Sequence, residues 1–234
     1  MIISHKYKFI FIKTHKTAGS SIEMALAPLC DVDDVITPME SNQNSDIPRN
    51  FHAKNWIGRT YATHKLVRKC LHRHSQILGP WYYEHMPAFR VKELVGDKIW
   101  SSYYKFCFER NPWDKIVSYY NWKKHGQKRS MPSFANYVLH KTHRLPVDSR
   151  LYFDQDECIV DQIYDFSNFI DSFRQICQQL GVPFSGEMPR EKTGINLDLK
   201  HYSKYYNQET RKIVADYFSK EIALMGYNFD GIDL

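Results

Sequence analysis

Residues able to bind an anion gather in two short segments of this 234-residue chain. The first, residues 13–21 (KTHKTAGSS), follows an apolar run and precedes a helical pattern. Lys16 brings a mobile positive charge, and Gly19 lets a ligand approach the backbone closely. Three hydroxyl donors accompany them: Thr17, Ser20 and Ser21. Because unpaired N–H groups and the helix dipole favour negative charge at a helix start, this set predicts a phosphate site.

The first segment is not a Walker A sequence, in which a lysine directly follows the last glycine. Here Lys16 precedes Gly19 by three residues, and no earlier glycine is present in the loop. An ordinary strand-to-helix turn, in which Ser20 caps the helix and the lysines lie at the surface, explains the same residues equally well. The local sequence leaves both interpretations open.

The second segment is residues 108–114 (FERNPWD), between a second apolar run and a second helical pattern. Arg110 can bind a phosphate through two parallel hydrogen bonds. Asn111 and Pro112 are typical of a helix start, and Ser118 follows about two turns later on the same face. A surface ion pair on an ordinary helix is the alternative interpretation of Arg110.

The pattern of elements predicts how these segments are positioned. Short apolar runs predict buried strands at residues 7–12 and 104–109. Helices are predicted at residues 21–27, at 87–95 with Gly96 as the stop, and at 112–122, 171–180 and 207–225. Their alternation indicates a three-layer α/β/α sandwich with a central parallel sheet. Both segments then lie at the carboxyl edge of that sheet, where open α/β folds bind ligands.

Composition limits the class of protein. Hydrophobic residues make up 43% of the chain, which excludes an intrinsically disordered protein, and the absence of a linker favours one domain over residues 1–234. Lys and Arg exceed Asp and Glu by 32 to 26, a net charge of +6 that suggests an anionic partner without identifying it.

The cysteines and the apolar runs indicate the cellular compartment of the protein. The five cysteines are an odd number without C-x-x-C spacing, which argues against a disulfide scaffold or zinc ribbon and favours a reducing compartment. The longest N-terminal apolar run, residues 9–12, is far shorter than a membrane span or a signal peptide needs. We therefore expect a soluble, cytoplasmic protein.

The two segments together resemble a known family. Residues 16–22 (KTAGSSI) resemble the 5′-phosphosulfate loop of sulfotransferases that use 3′-phosphoadenosine 5′-phosphosulfate (PAPS), and residues 110–114 with Ser118 resemble their 3′-phosphate motif. The likeness is to the carbohydrate (Golgi-type, family 2) branch and its bacterial relatives. It is clear from residue 7 to 122 and weaker to the end of the chain. It implies the P-loop-NTPase-like sulfotransferase fold.

The resemblance also implies roles for single residues. Lys16 would hold the phosphosulfate and stabilise charge on the bridging oxygen, and Lys13 matches a position that is often basic in the glycan-modifying enzymes. Arg110 and Ser118 would bind the 3′-phosphate, and Lys200 would cover the nucleotide. The remaining residues that would bind PAPS line the first loop: Thr17, Ala18, Gly19, Ser20 and Ser21.

The chain departs from the family pattern at two positions. His15 stands where many relatives have a proline or a small residue. Glu109 stands where an aliphatic residue is common. Since neighbouring side chains of a strand face opposite ways, Glu109 is expected to point away from the phosphate held by Arg110.

A hydroxyl acceptor must lose a proton as it attacks sulfur, and a histidine suits that task. Among eleven histidines we choose His85, because similar relatives have a histidine just before the corresponding helix. A capping or core histidine is the alternative. A zinc site at His64, His72 and His74 is not expected, since cationic residues flank them and no carboxylate is near. We expect no metal.

The predicted function is transfer of a sulfuryl group from PAPS to a hydroxyl acceptor, which we expect to be a carbohydrate. Aromatic residues either line the acceptor cleft or belong to the core: Trp81, Tyr82, Tyr83, Trp113 and Trp122. The rival interpretations are a P-loop-like small-molecule kinase and a non-enzymatic nucleic-acid-binding module. The kinase needs a magnesium-binding pair that we do not find, and no nucleic-acid-binding motif is present.

Overall fold

A computed structural model describes residues 1–38, 48–52, 82–126, 130–189 and 200–229 of the chain. In this part of the chain, helices lie on both faces of a five-stranded sheet. The molecule is therefore a three-layer α/β/α sandwich, and the predicted fold class is confirmed. The expectation of one domain stays a prediction.

Seven strands occur in the described residues: β1 (Ile2–Ser4), β2 (Phe9–Phe11), β3 (Val35–Ile36), β4 (Tyr104–Glu109), β5 (Phe153–Asp154), β6 (Glu157–Cys158) and β7 (Gln162–Asp165). The sheet has the order β3-β1-β2-β4-β7, and β5 and β6 form a separate hairpin. The α-helices are α1 (Gly19–Leu26), α2 (Ala88–Ser102), α3 (Pro112–Gly126), α4 (Phe134–Lys141), α5 (Ser149–Tyr152), α6 (Phe169–Leu180), α7 (Gln208–Tyr217) and α8 (Ser219–Met225). Short 3₁₀ turns lie at Ala27–Leu29, Thr142–Arg144, Phe166–Asn168 and Tyr202–Tyr205.

The sheet is mixed, so the prediction of a parallel sheet is wrong for its first strands. β2, β4 and β7 run parallel, but β1 pairs antiparallel with both β2 and β3. β1 and β2 are joined by residues 5–8 alone. A connection that short permits only an antiparallel pair, because a parallel pair needs a long crossover. The parallel part of the sheet is the part that bears both predicted segments.

The apolar strand β2 is buried on both faces, as its sequence predicted. Phe9 and Phe11 pack with α1 and α6, whereas Ile10 packs with α2 on the opposite face. Successive side chains of a strand alternate between faces, which explains why a run without polar residues fits this position. β2 and β4 are in parallel register, with Phe11 opposite Phe106. The loops that follow the two strands therefore leave the sheet side by side.

One predicted helix stop is found in the structure, and one long predicted helix is divided. Gly96 (φ 77°, ψ 163°) is not helical, so it ends the helical stretch that begins at Ala88, as predicted; a second stretch follows to Ser102, and α2 comprises both stretches and the kink between them. The predicted helix over residues 207–225 is two helices, separated at Phe218 (φ −108°, ψ 25°). The Phe218 side chain is fully buried. The break directs it into the core, and no glycine or proline marks it in the sequence.

A third apolar cluster fixes the position of α3. It joins α3 with α4, α7 and the start of α8, and it contains Trp113, Tyr120, Phe134, Val214 and Phe218. Trp113 is 4% exposed, and its Nε1 donates to the carbonyl of Arg211 at 3.1 Å. Trp113 is therefore a core residue rather than part of an acceptor cleft.

Candidate functional site

The loop between β2 and α1 is held in a strained backbone conformation. Ala18, the residue before the helix, has left-handed angles (φ 57°, ψ 24°), and Lys16 has φ 61°. Such angles cost non-glycine residues roughly 1–2 kcal/mol each. The interpretation in which Ser20 caps the helix is wrong, because α1 begins at Gly19 and Ser20 lies inside its first turn.

The start of α1 offers donors to an anion. The first N–H groups of a helix have no carbonyl four residues earlier to bind, and the helix dipole makes this end positive. Ser20 and Ser21 are half-buried in the first turn, so their hydroxyls add to these amides. Thr17, by contrast, is fully buried, and its hydroxyl lies 2.8 Å from that of Thr14. The side chain is therefore turned into the protein, and the predicted contact of Thr17 with a cofactor stays a prediction.

The ammonium group of Lys13 is enclosed by carboxylates. Its Nζ lies 2.6 Å from Glu23 Oε2 and 2.5 Å from Glu84 Oε1, and it donates to Ser20 Oγ at 3.3 Å. Burial lowers the pKa of Lys13, but the two carboxylates more than offset it, so the pKa lies above its ordinary value. The Lys13 stem fills the space beside Gly19, where an added Cβ would lie 2.7 Å from Lys13 Cγ. Lys13 therefore packs against the loop at Gly19. Its contact with a cofactor stays a prediction.

Arg110 connects the two predicted segments. Its Nη1 donates to the main-chain carbonyl of Lys16 at 3.0 Å, and its Nε donates to Asp114 at 2.7 Å. The guanidinium carbon also lies 4.8 Å from the centroid of the Phe166 ring. These contacts hold the plane of the guanidinium at the junction of the two loops, with its side chain 15% exposed.

One face of α3 borders the same junction. Asp114, Ser118 and Trp122 are spaced four residues apart, so they lie on one side of the helix. Asp114 binds Arg110, and the Trp122 ring lies 5.5 Å from Lys16 Nζ. Ser118 is half-buried between them, one turn from each. The loop, Arg110 and this face of α3 are thus adjacent, and we call the region that they border the Lys16–Arg110 groove.

His85 lies beside the loop in a defined tautomer. Its Nδ1 is 2.9 Å from the carbonyl oxygen of Lys13. Because a carbonyl only accepts, Nδ1 must donate, and the lone pair of the neutral ring is on Nε2. Burial, followed by the neighbouring charge of His15, lowers the pKa of His85 to about 4. The imidazole is therefore neutral at pH 7 and able to accept a proton at Nε2.

His15 stacks on His85. The ring centroids are 3.8 Å apart and the ring planes differ by 8°. Asp148, at the start of α5, accepts from the backbone N–H of His15 at 2.9 Å and from its Nδ1 at 2.6 Å. The histidine that departs from the family pattern is thus fixed on both sides.

A buried charge cluster lies beneath the groove. The Glu109 carboxylate lies in it, binds Lys115 and Tyr152, and accepts from the backbone N–H of Arg110 at 2.8 Å. The Arg110 side chain instead binds Asp114 and the carbonyl of Lys16. Lys115 Nζ lies 2.8 Å from Asp148 Oδ2. Burial raises the pKa of Glu109 to about 7, although Lys115 opposes it. Burial also opposes ionisation of Asp148, but Lys115 and His15 outweigh it and lower its pKa to about 2.

Sequence reasoning did not find the residues that support the site, namely Glu23, Glu84, Lys115, Asp148 and Tyr152. The one available signal was charge inside apolar stretches, as at Glu109 and Lys115, because a charged side chain there must find a buried partner. Nothing in the local sequence connects Asp148 with His15, since 133 residues separate them.

Other predicted residues are exposed or lie outside the described residues. Lys200 is exposed, and its place over a nucleotide stays a prediction. Tyr83 is 36% exposed. The three histidines weighed as a zinc site, with Trp81, lie outside the described residues: His64, His72 and His74. Within the residues that the structure describes, no group of side chains with metal-binding character is found, and no helix is long and apolar enough to cross a membrane.

The chain is similar to a family of known proteins, to an archaeal protein and to a solved bacterial structure. The family model described as "Sulfotransferase family" matches residues 1–228. An uncharacterized protein of Archaeoglobus fulgidus is 33% identical over 101 residues, which are 42% of this chain and 84% of that protein. A crystal structure of a sulfotransferase from Alicyclobacillus acidocaldarius matches with a TM-score of 0.47 and 16% identity, over 94% of this chain and 96% of that one. The family match includes both loops of the groove.

Proposed function

We propose, from the premise that this chain belongs to the sulfotransferase family, that it transfers a sulfuryl group from PAPS to a hydroxyl group of a carbohydrate or glycoconjugate. One observation supports the donor above all others. The cation of each predicted phosphate loop borders a single groove, since Arg110 binds the carbonyl of Lys16 at 3.0 Å. A ligand with separated anionic groups at both ends of a ribose fits such a groove.

The sulfonated end of PAPS is assigned to the loop before α1. Lys16, Ser20 and Ser21 provide a cation and two hydroxyls there, and the first amides of the helix complete the cradle. Thr17, Ala18 and Gly19 contribute through their backbone. Gly19 has no Cβ, and the Lys13 stem occupies the place where one would lie. Lys13 is assigned a supporting role, because its ammonium is bound to two carboxylates.

The 3′-phosphate is assigned to Arg110 and Ser118. The Nε and one Nη of Arg110 are already bound to Asp114 and to Lys16. A guanidinium has five N–H donors, so further donors remain for a phosphate. Ser118 lies one helical turn from Asp114, on the face that borders the groove. Recognition of this phosphate distinguishes PAPS from ATP.

His85 is assigned the role of general base. PAPS, when bound, supplies a sulfuryl group on a phosphate leaving group. His85 Nε2 takes the hydroxyl proton as the acceptor oxygen bonds to sulfur and the bond from sulfur to the bridging oxygen breaks. Lys16 and the start of α1 stabilise the negative charge left on that oxygen. Positioning and fixed charge provide most of the acceleration.

A carbohydrate acceptor is proposed from the family resemblance and from the surface beside the groove. Trp122 borders the groove, and sugars stack on aromatic faces. Lys123 lies 4.9 Å from the centroid of the Tyr119 ring at the same end of α3, which would favour an acidic sugar. The cysteines of the described residues are free, and this supports a reducing compartment such as the cytoplasm.

Sulfate transfer from radiolabelled PAPS onto a panel of glycans, lipids and small alcohols tests the proposal. We expect label on a glycan, and we expect adenosine 3′,5′-bisphosphate (PAP) to raise the melting temperature while ADP with magnesium does not. Stabilisation by magnesium and ADP alone, without transfer, would support a small-molecule kinase instead. Stabilisation by nucleic acid alone would support the binding module.

A further inference from the structure

Asp148 is the buried group that controls His15. Both of its carboxylate oxygens bind His15, one to the backbone N–H and the other to Nδ1. Asp148 is fully buried, and Lys115 holds the oxygen that accepts from the backbone. Lys115 is itself bound to Glu109. The carboxylate therefore has no freedom to turn, and it fixes both the start of the loop and the plane of the His15 ring.

The His15 ring in turn limits the orientations open to His85. A ring that makes one in-plane hydrogen bond can still tilt about that bond. His85 makes such a bond from Nδ1 to the carbonyl of Lys13, and the stacked face of His15 stops the tilt. Two contacts in perpendicular directions thus define where Nε2 points. A general base must be held in this way, since small displacements from the reacting proton are costly.

We propose that His15, oriented by Asp148, is a positioning residue that sets the ring plane of His85. The inference rests on the proposed role of His85 as the base. His15 does not itself touch the reacting atoms in this account. A site of this kind is a stacked pair of imidazoles in which one ring is bound to a carboxylate and the other receives the proton of the acceptor.

The charges around His85 are consistent with a positioning role for His15 and the role of base for His85. Among the described residues, the titratable groups that act on it most strongly are His15, Glu84, Lys13 and Asp148. The cationic groups oppose its protonation and the carboxylates favour it. After burial, His15 makes the largest contribution to the low pKa of His85. Removal of the charge of His15 should therefore raise the pKa of His85 towards its ordinary value.

Two substitutions test the stacked ring of His15 and the charge of His15 separately. His15→Phe keeps a flat ring against His85 and removes the charge. His15→Asn keeps an N–H donor for Asp148 and removes the stacked face. His140→Asn, on the exposed surface of α4, is the matched control. The measurements are an NMR titration of the His85 imidazole in the resting protein and the pH dependence of kcat and of KM for PAPS.

In His15→Phe we expect the His85 titration to move to higher pH and the acid limb of kcat to move with it. In His15→Asn we expect kcat at pH 7 to fall about tenfold or more, with KM for PAPS within about twofold of wild type. His140→Asn should change neither quantity. A purely structural role for His15 would not move the titration of His85.

Wild-type titration of His85 and wild-type kcat in both variants would overturn the inference. It would also be overturned if His15→Asn abolished turnover while His85→Asn did not, because His15 would then be the base. Asp148→Asn, which keeps the shape of the side chain but leaves one of the two His15 N–H groups without an acceptor, serves as a second variant and should lower kcat at pH 7 as His15→Asn does. The titration needs no donor substrate. If the wild-type protein transferred no sulfate, the proposed function would be contradicted, and the NMR titration alone would decide whether His15 positions His85.

Discussion

The guanidinium of Arg110 donates a hydrogen bond to the main-chain carbonyl of Lys16, with 3.0 Å between Nη1 and the oxygen. The two residues are 94 positions apart in sequence and belong to loops that follow neighbouring parallel strands. This contact joins the loop before α1 to the loop before α3, so both helix starts border the Lys16–Arg110 groove. The proposed donor, with a phosphate near each end, depends on it.

Arg110→Lys tests the second half of the groove. Lysine keeps the positive charge but loses the flat, two-pronged donor set and the contact with the Lys16 carbonyl. We expect affinity for PAP to fall about 10- to 100-fold, corresponding to a lost charged hydrogen bond, and affinity for 5′-AMP to change little. Isothermal titration calorimetry with both nucleotides gives the comparison. Arg174→Lys, on the exposed face of α6, is the control; an equal loss for both nucleotides would contradict the assignment.

Lys16→Met tests the first half of the groove. The ammonium is proposed to stabilise charge that develops on the leaving oxygen, so its removal should affect the chemical step more than binding. We expect kcat to fall by about 100-fold or more and PAP affinity to fall by about tenfold. Lys98→Met, at an exposed position in α2, should behave as wild type. Unchanged kcat in Lys16→Met would remove Lys16 from the mechanism.

Gly19→Ala tests the support of the loop by Lys13. The new Cβ would lie 2.7 Å from Cγ and 2.9 Å from Cε of Lys13, so the lysine must move. We expect weaker PAP binding and a lower melting temperature. Gly126→Ala is the matched control, because a Cβ there meets nothing within 4 Å. If both alanine variants bind PAP like wild type, the packing of Lys13 against Gly19 is unimportant for the site.

The half-buried His85 should make stability depend on pH. Its folded-state pKa, about 4, is below the ordinary value of 6.5. Between these values the unfolded chain binds a proton that the folded protein does not, so the free energy of unfolding falls as pH falls from 6.5 to 4. The loss is up to about 3 kcal/mol.

His85→Asn should remove that part of the pH dependence. The measurement is urea unfolding at pH 4.5, 5.5 and 7 for wild type, His85→Asn and the exposed control His140→Asn. Glu109 acts in the opposite direction, because its raised pKa of about 7 favours the folded state at lower pH. The difference between wild type and His85→Asn isolates the histidine. A difference that does not vary with pH would contradict the low pKa.

The sequence predicted those parts of the fold that depend on local pattern. β4 spans Tyr104–Glu109 as predicted, because an apolar run between a helix end and an Asn-Pro helix start leaves little choice of limits. The anion loops could be located because their residue types and their place between strand and helix are both local. β1 and the break at Phe218 were not predicted. β1 is as short as β2 but lacks the anion loop and helix that follow β2, and the break contains no glycine or proline.

The supporting residues of the site are defined by tertiary contacts, so they could not be predicted from the sequence. Glu84 pairs with Lys13 across 71 positions of sequence. Asp148 pairs with His15 across 133 positions. Buried charges of this kind are recognised only when the fold brings their partners together. His15, noted in the sequence as a departure from the family pattern, acquires a partner and a proposed role in the structure.

The most direct test of the central claim is a crystal structure of the protein with PAP bound. We predict the 5′-phosphate at the first amides of α1 beside Lys16, and the 3′-phosphate within hydrogen-bond distance of the Arg110 guanidinium and the Ser118 hydroxyl. PAP bound away from the Lys16–Arg110 groove, or with its 3′-phosphate in solvent, would contradict the account.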